Sequence, residues 1–139
     1  VITPNLYKPG GFWYEVDGDW RRWCDSEEPD WIKDALVYEV QIGSEVQLCR
    51  ITTLYEFDAF QHEYVTINPF PPLELSGRYL SPDWQRVAEK FDGIEIAPYQ
   101  WQRRLGSDTF WYYSWDCASG CLWEPRNTGL KLSGTRHDA

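Results

Sequence analysis

Residues 91–99 read FDGIEIAPY, and where Glu95 points decides how the chain is read. Asp92-Gly93 is a turn signal, and Ile94 to Tyr99 suit a β-strand. Side chains alternate along a strand, so if Ile94 and Ile96 face a core, Glu95 faces the other way. On one reading Glu95 is a solvent-facing acid on a half-buried sheet. On the other it projects into a cleft, whose walls must come from elsewhere in the chain.

Two aromatic stretches are candidates for those walls. The first, KPGGFWYEV at 8–16, places Phe12, Trp13 and Tyr14 behind a Pro-Gly-Gly corner, with a strand expected from Phe12 to Val16 and a turn at Asp17-Gly18. The second, FWYYSWD at 110–116, reads as an aromatic strand. Trp111, Tyr113 and Trp115 would then share one face, and Tyr112, Ser114 and Asp116 the other. Cys121-Leu122-Trp123 would continue it after a small-residue kink at 118–120. Nine Trp, nine Tyr and six Phe bring the aromatic share to 17%, more than a core of this size needs. Aromatic side chains combine large apolar area with a polar tip, so they serve recognition surfaces as well as cores.

A length of 139 residues fits one domain able to bury a core, and no repeat or low-complexity linker divides it. The expected organisation is one domain over 1–139, with residues 130–139 a loose polar tail. A short helix is expected over 19–28, with Trp20, Trp23 and Cys24 at helical spacing, stopped by Pro29. Strands over 36–42 (LVYEVQI) and 46–52 look like a pair. Residues 54–64 show helical periodicity, and 67–82, with four prolines, read as an irregular loop. Ser81-Pro82-Asp83 is expected to start a helix capped by Ser81 and ending before Asp92-Gly93. Strands at both ends with helices between, and no regular βαβ alternation, point to an α+β domain with a mixed or antiparallel split sheet and short helices.

The charge narrows the partners. A net charge of −9 argues against stable nucleic-acid binding, which needs a basic footprint. No apolar run approaches the ~20 residues of a membrane helix. No signal peptide is visible in the first fifteen residues, so the expected location is cytoplasmic. The absence of Met leaves processing or truncation of the chain open. Cys24, Cys49, Cys117 and Cys121 are expected as buried free thiols. The C-x3-C spacing is unlike common zinc motifs, and His62 and His137 stand far apart. There is no G-x-S-x-G, P-loop, H-E-x-x-H or G-x-G-x-x-G, and no spacing supports a Cys-His nucleophile pair.

A glutamate beside aromatic faces suits loss of a cationic ring from a sugar. The rings hold the flat group while the carboxylate binds a ribose hydroxyl and stabilises the oxocarbenium-like charge. GGFWYEVDGDWRRWC (10–24) is similar in form to the glycine-led strand and short helix of the ADP-ribosyltransferase fold, in its diphtheria-toxin and PARP-like branch. GIEIAPY (93–99) resembles in placement the strand that carries that family's catalytic glutamate, and LVYEVQI resembles the central strand between those motifs. The resemblance is at the level of motifs and spans about residues 8–100.

It implies a mono-ADP-ribosyltransferase of toxin or phage-modifier type that uses NAD as substrate and a macromolecular acceptor. It also implies Glu95 as the catalytic acid and Trp13 or Tyr14 against the nicotinamide ring; Lys8, Tyr99 and Trp115 are further expected NAD-binding residues. The family's first motif, a His or Arg on the opening strand, has no counterpart before Lys8. Two other classes fit the composition. One is a non-catalytic binding module that uses exposed Trp and Tyr to hold a carbohydrate, nucleotide or protein. The other is an acidic inhibitor or decoy steered to a basic partner by its charge.

Overall fold

The computed structural model describes residues 7–67 and 80–135. Its centre is a four-stranded sheet in the order β1-β7-β6-β3, built from β1 (Phe12–Glu15), β3 (Leu48–Ile51), β6 (Gly93–Ile96) and β7 (Ser119–Leu122). β7 runs antiparallel to both β1 and β6, whereas β3 and β6 are parallel. A parallel pair needs a long crossover. Here it carries α2 (Leu54–Tyr64), the two-stranded pair of β4 (Val65–Ile67) and β5 (Leu80–Pro82), and α3 (Trp84–Lys90). The result is a mixed α+β domain with split sheets.

Each helix has a legible start. Thr53 accepts the backbone N–H of Glu56, and the Glu56 carboxylate accepts the backbone N–H of Thr52, closing the first turn of α2 reciprocally. α1 (Asp19–Glu27) follows Gly18, whose φ of 72° is open to glycine. The third helix starts later than its sequence implies. Asp83, not Ser81, accepts the N–H of Arg86, because Ser81 and Pro82 are buried and paired with Thr66 and Val65 in the β4–β5 ladder. The remainder of the expected proline-rich loop, 68–79, lies outside the described residues.

The core lies on one face of the main sheet. Ile94 and Ile96 are wholly buried, and Phe57, Phe60, Trp84, Val87 and Trp111 close over them from α2, α3 and the 110–114 segment. That segment is not a strand. It is a 3-10 turn, Phe110–Ser114, with Trp111 and Tyr112 both fully buried. Two successive residues buried in one core cannot obey strand alternation, and packing from several sides overrides aromatic β-propensity. The expected faces of 110–116 do not exist, and the strand itself begins at Ser119, where a kink was expected.

Two further expectations fail. The strands at 36–42 and 46–52 do not pair with each other. β2 (Leu36–Gln41) instead joins β8 (Gly129–Thr135) in a separate antiparallel ribbon, so the stretch likened to a central strand lies outside the main sheet. Residues 130–135, expected as loose tail, belong to β8, and 136–139 lie outside the described residues. The alternation of Leu130 and Leu132 with polar neighbours in GLKLSGT carried the strand signal. Among the described residues no helix is long and apolar enough to cross a membrane.

Candidate functional site

The four strands of the main sheet align one residue each into a single row: Tyr14, Gly120, Glu95 and Arg50. Alternation puts this row on the face away from Ile94 and Ile96. The Tyr14 hydroxyl donates to Glu95 Oε1 at 2.9 Å, and Arg50 Nη1 donates to Oε2 at 2.9 Å. Gly120 makes the first contact possible. A Cβ at that position would collide with the Tyr14 ring, which crosses β7 to reach β6.

These donors hold the Glu95 side chain in one place at 13% exposure. Each oxygen receives one donor and keeps acceptor capacity for a ligand. Burial, reinforced by the adjacent Glu95 carboxylate, pushes the Tyr14 hydroxyl well above the ordinary tyrosine range. Tyr14 therefore stays a proton donor throughout the neutral range.

Two adjoining hollows open beside this row, between β1, α1 and the β2–β8 ribbon. One, of about 440 Å³, is walled by Trp13, Trp20 and Tyr38, with Lys8, Arg21 and Asp116 at its polar positions. The other, of about 710 Å³, contains Glu95, and Val40 and Leu130 of the ribbon line it. Trp13, Tyr14, Glu15, Arg21, Val37 and Tyr38 line both, so the two form one cleft. Arg21 is fixed there by Glu15, whose Oε1 accepts from Nε at 2.7 Å and whose Oε2 accepts the Arg21 backbone N–H at 2.9 Å. The cleft is open to solvent, with aromatic and cationic groups on its walls.

Of the residues singled out from sequence, Glu95 and Tyr14 meet at the larger hollow and Lys8 lines the smaller one, while Trp13, which borders both, pairs with Cys121 and so packs on the Ile94 side of the sheet. The Lys8 ammonium lies 5.1 Å from the Trp13 ring centroid, and both line the smaller hollow. Tyr99 and Trp115 line neither hollow. Tyr99 stacks on Tyr112 at 4.8 Å, and Trp115, fully buried, meets Trp13 edge-on at 4.9 Å. Both belong to the core, so their expected contact with a ligand has no basis in this geometry.

Sequence reasoning missed Arg50, Arg21, Tyr38 and Gly120. Alternation in LCRI could have put Arg50 opposite the buried Ile51 side of its strand. Its pairing with Glu95 depends on a parallel register that no local pattern encodes.

Among the described residues the four cysteines are free thiols, and no three His, Cys, Asp or Glu side chains gather as metal ligands. Cys117 borders the smaller hollow, but burial pushes its thiol up to about 12, which leaves it a poor nucleophile. No family model, curated protein or solved structure matches the chain.

Proposed function

We propose that the cleft binds NAD and that Glu95 assists cleavage of its nicotinamide–ribose bond, with transfer of ADP-ribose to a macromolecular acceptor. The observation that carries this reading is the fixed Glu95 carboxylate, held by Tyr14 and Arg50 beside an aromatic-walled cleft. Loss of nicotinamide leaves positive charge on the ribose, and an anion already in position stabilises that charge without reorganising. Glu95 would accept from a ribose hydroxyl, while Tyr14 and Tyr38 offer faces for flat rings on its side of the sheet. Lys8 and Arg21 supply cations for a diphosphate, a duty for which the opening residues offer no His or Arg. This reading also extends the motif-level likeness of residues 10–24 and 93–99 to the ADP-ribosyltransferase fold.

The Arg50–Glu95 ion pair favours a second reading, a binding module without catalysis. A guanidinium 2.9 Å away offsets part of the negative field that an oxocarbenium would need. The two readings separate when NAD labelled in the nicotinamide ring is incubated with the protein. Release of free nicotinamide above the buffer rate supports the enzyme. Quenching of tryptophan fluorescence by NAD without any release supports the module.

A further inference from the structure

A second aromatic surface lies on the 101–113 segment and takes no part in the cleft. Trp101 is 65% exposed, Leu105 75%, Phe110 47% and Tyr113 43%. Trp101, Phe110 and Tyr113 are linked in space through Arg104. The Arg104 guanidinium lies 5.7 Å from the Trp101 ring centroid and 4.7 Å from that of Tyr113, and Phe110 stacks on Tyr113 at 5.3 Å. The platform is fixed from behind. Arg103 makes two contacts with the Asp58 carboxylate at 2.8 and 2.9 Å, and the Gln61 amide donates to the Asp108 carbonyl at 2.7 Å. Among the described residues Arg104, unlike Arg103, has no carboxylate within ion-pair distance. Rigid Trp, Tyr and Arg side chains at the surface are the composition of interface hot spots, since little entropy is lost when they are covered.

The chain also carries the complement. Residues 25–30, all exposed, read DSEEPD without a basic side chain, and Trp31 behind them is 61% exposed while resting on Trp20 and Trp23. We infer that a second copy of this chain docks on the platform, seating Trp31 against Trp101 and Phe110 and pairing Glu28 or Asp30 with Arg104. A polyanion such as RNA is the weaker occupant. Arg104 alone, in a protein of net charge −9, cannot neutralise several phosphates, whereas one carboxylate satisfies it. The contact is heterologous, so a dimer with two reciprocal contacts and a head-to-tail chain both satisfy it.

Copies of charge −9 repel beyond contact range, and this repulsion is screened within about 10 Å at 0.1 M salt. Association should therefore tighten as salt is first added and weaken again near about 1 M, where the screening length is only about 3 Å.

Sedimentation velocity over a concentration series tests the inference on wild type, Arg104→Glu, and the double variant Glu28→Lys with Asp30→Lys. Glu28 and Asp30 are exposed and Arg104 is half-buried with its Nε enclosed, so circular dichroism checks that each variant folds. The expected result is self-association of the wild type, weakened at least tenfold in each variant alone and recovered when the two variants are mixed. A wild type that stays monomeric throughout overturns the inference, as do variants that associate like the wild type or a mixture that stays monomeric. A monomer whose fluorescence responds to a single-stranded oligonucleotide or an acidic peptide would put another partner on the platform, and that too overturns docking of a second copy.

Discussion

The Tyr14 hydroxyl reaches Glu95 Oε1 at 2.9 Å across the backbone of Gly120, so one strand's aromatic side chain fixes an acid two strands away. The space above Gly120 is what permits it. Gly120→Ala is predicted to displace the Tyr14 ring and break this hydrogen bond. Overpacking of this kind costs about 1–3 kcal/mol. Denaturant unfolding should show that loss, and a variant as stable as the wild type with unchanged tyrosine absorbance would contradict the geometry.

Tyr14→Phe and Arg50→Met remove the two Glu95 donors separately. Loss of the partly buried tyrosine hydrogen bond should cost about 1 kcal/mol. Arg50 is 59% exposed, so its pair should be worth less than about 1 kcal/mol. If the catalytic reading holds, Tyr14→Phe slows nicotinamide release by roughly tenfold, equivalent to about 1.4 kcal/mol in the barrier, while Arg50→Met, which loosens the carboxylate but also removes an opposing positive charge, changes the rate less. Equal rates in all three proteins would show that neither donor positions the carboxylate.

Trp111 is fully buried, stacks on Phe57 at 5.5 Å and donates its indole N–H to Gln61 at 2.8 Å. Trp111→Ala should destabilise the domain by about 3–5 kcal/mol through the cavity it leaves. A thermal midpoint within a few degrees of wild type would show that 110–114 is not the core turn described above.

Burial pushes the Cys117 and Cys121 thiols up to about 12 from an ordinary value of 9.0, and Cys49 up to about 11. The folded-state values are raised, so their contribution is intact below pH 9 and is lost as pH climbs from about 9 towards 12. In that window each thiol that ionises only in the unfolded chain lowers stability by about 1.4 kcal/mol per pH unit. Urea midpoints measured from pH 8 to 11 should fall with rising pH, and thiol alkylation at pH 8 should be slow until denaturant is added. A flat profile with rapid alkylation would mean that these thiols are open to solvent.

Local signals were sufficient for much of this fold. The Gly11 corner, the turn at Asp17-Gly18, α1, α2 and the alternation around Glu95 all follow from short-range patterns that the tertiary structure respects. What failed depended on distant partners. Ser81 reads as a cap until β4 claims it for a ladder, and 110–115 reads as a strand until three surrounding elements bury both Trp111 and Tyr112. β2 looked like the partner of β3 because they are neighbours in sequence, but β8 pairs with it from the far end of the chain. The site divided in the same way. Glu95 and Tyr14 were legible from alternation and composition. Arg50 and Gly120 enter only through register, and Tyr99 and Trp115 looked like ligand-facing aromatics because residue type does not distinguish a core ring from an exposed one.

If Glu95 acts on a ligand held in the cleft, as proposed, its charge governs the chemical step more than binding. The most direct measurement is nicotinamide release by wild type and Glu95→Gln at saturating NAD, with binding followed in parallel by tryptophan fluorescence. The substitution keeps the shape and removes the charge. Glu95→Gln should bind NAD within a few-fold of wild type and release nicotinamide at least about a hundredfold more slowly, a barrier difference of about 2.7 kcal/mol. Release at the wild-type rate by a folded Glu95→Gln protein, or no release by either protein, would contradict it.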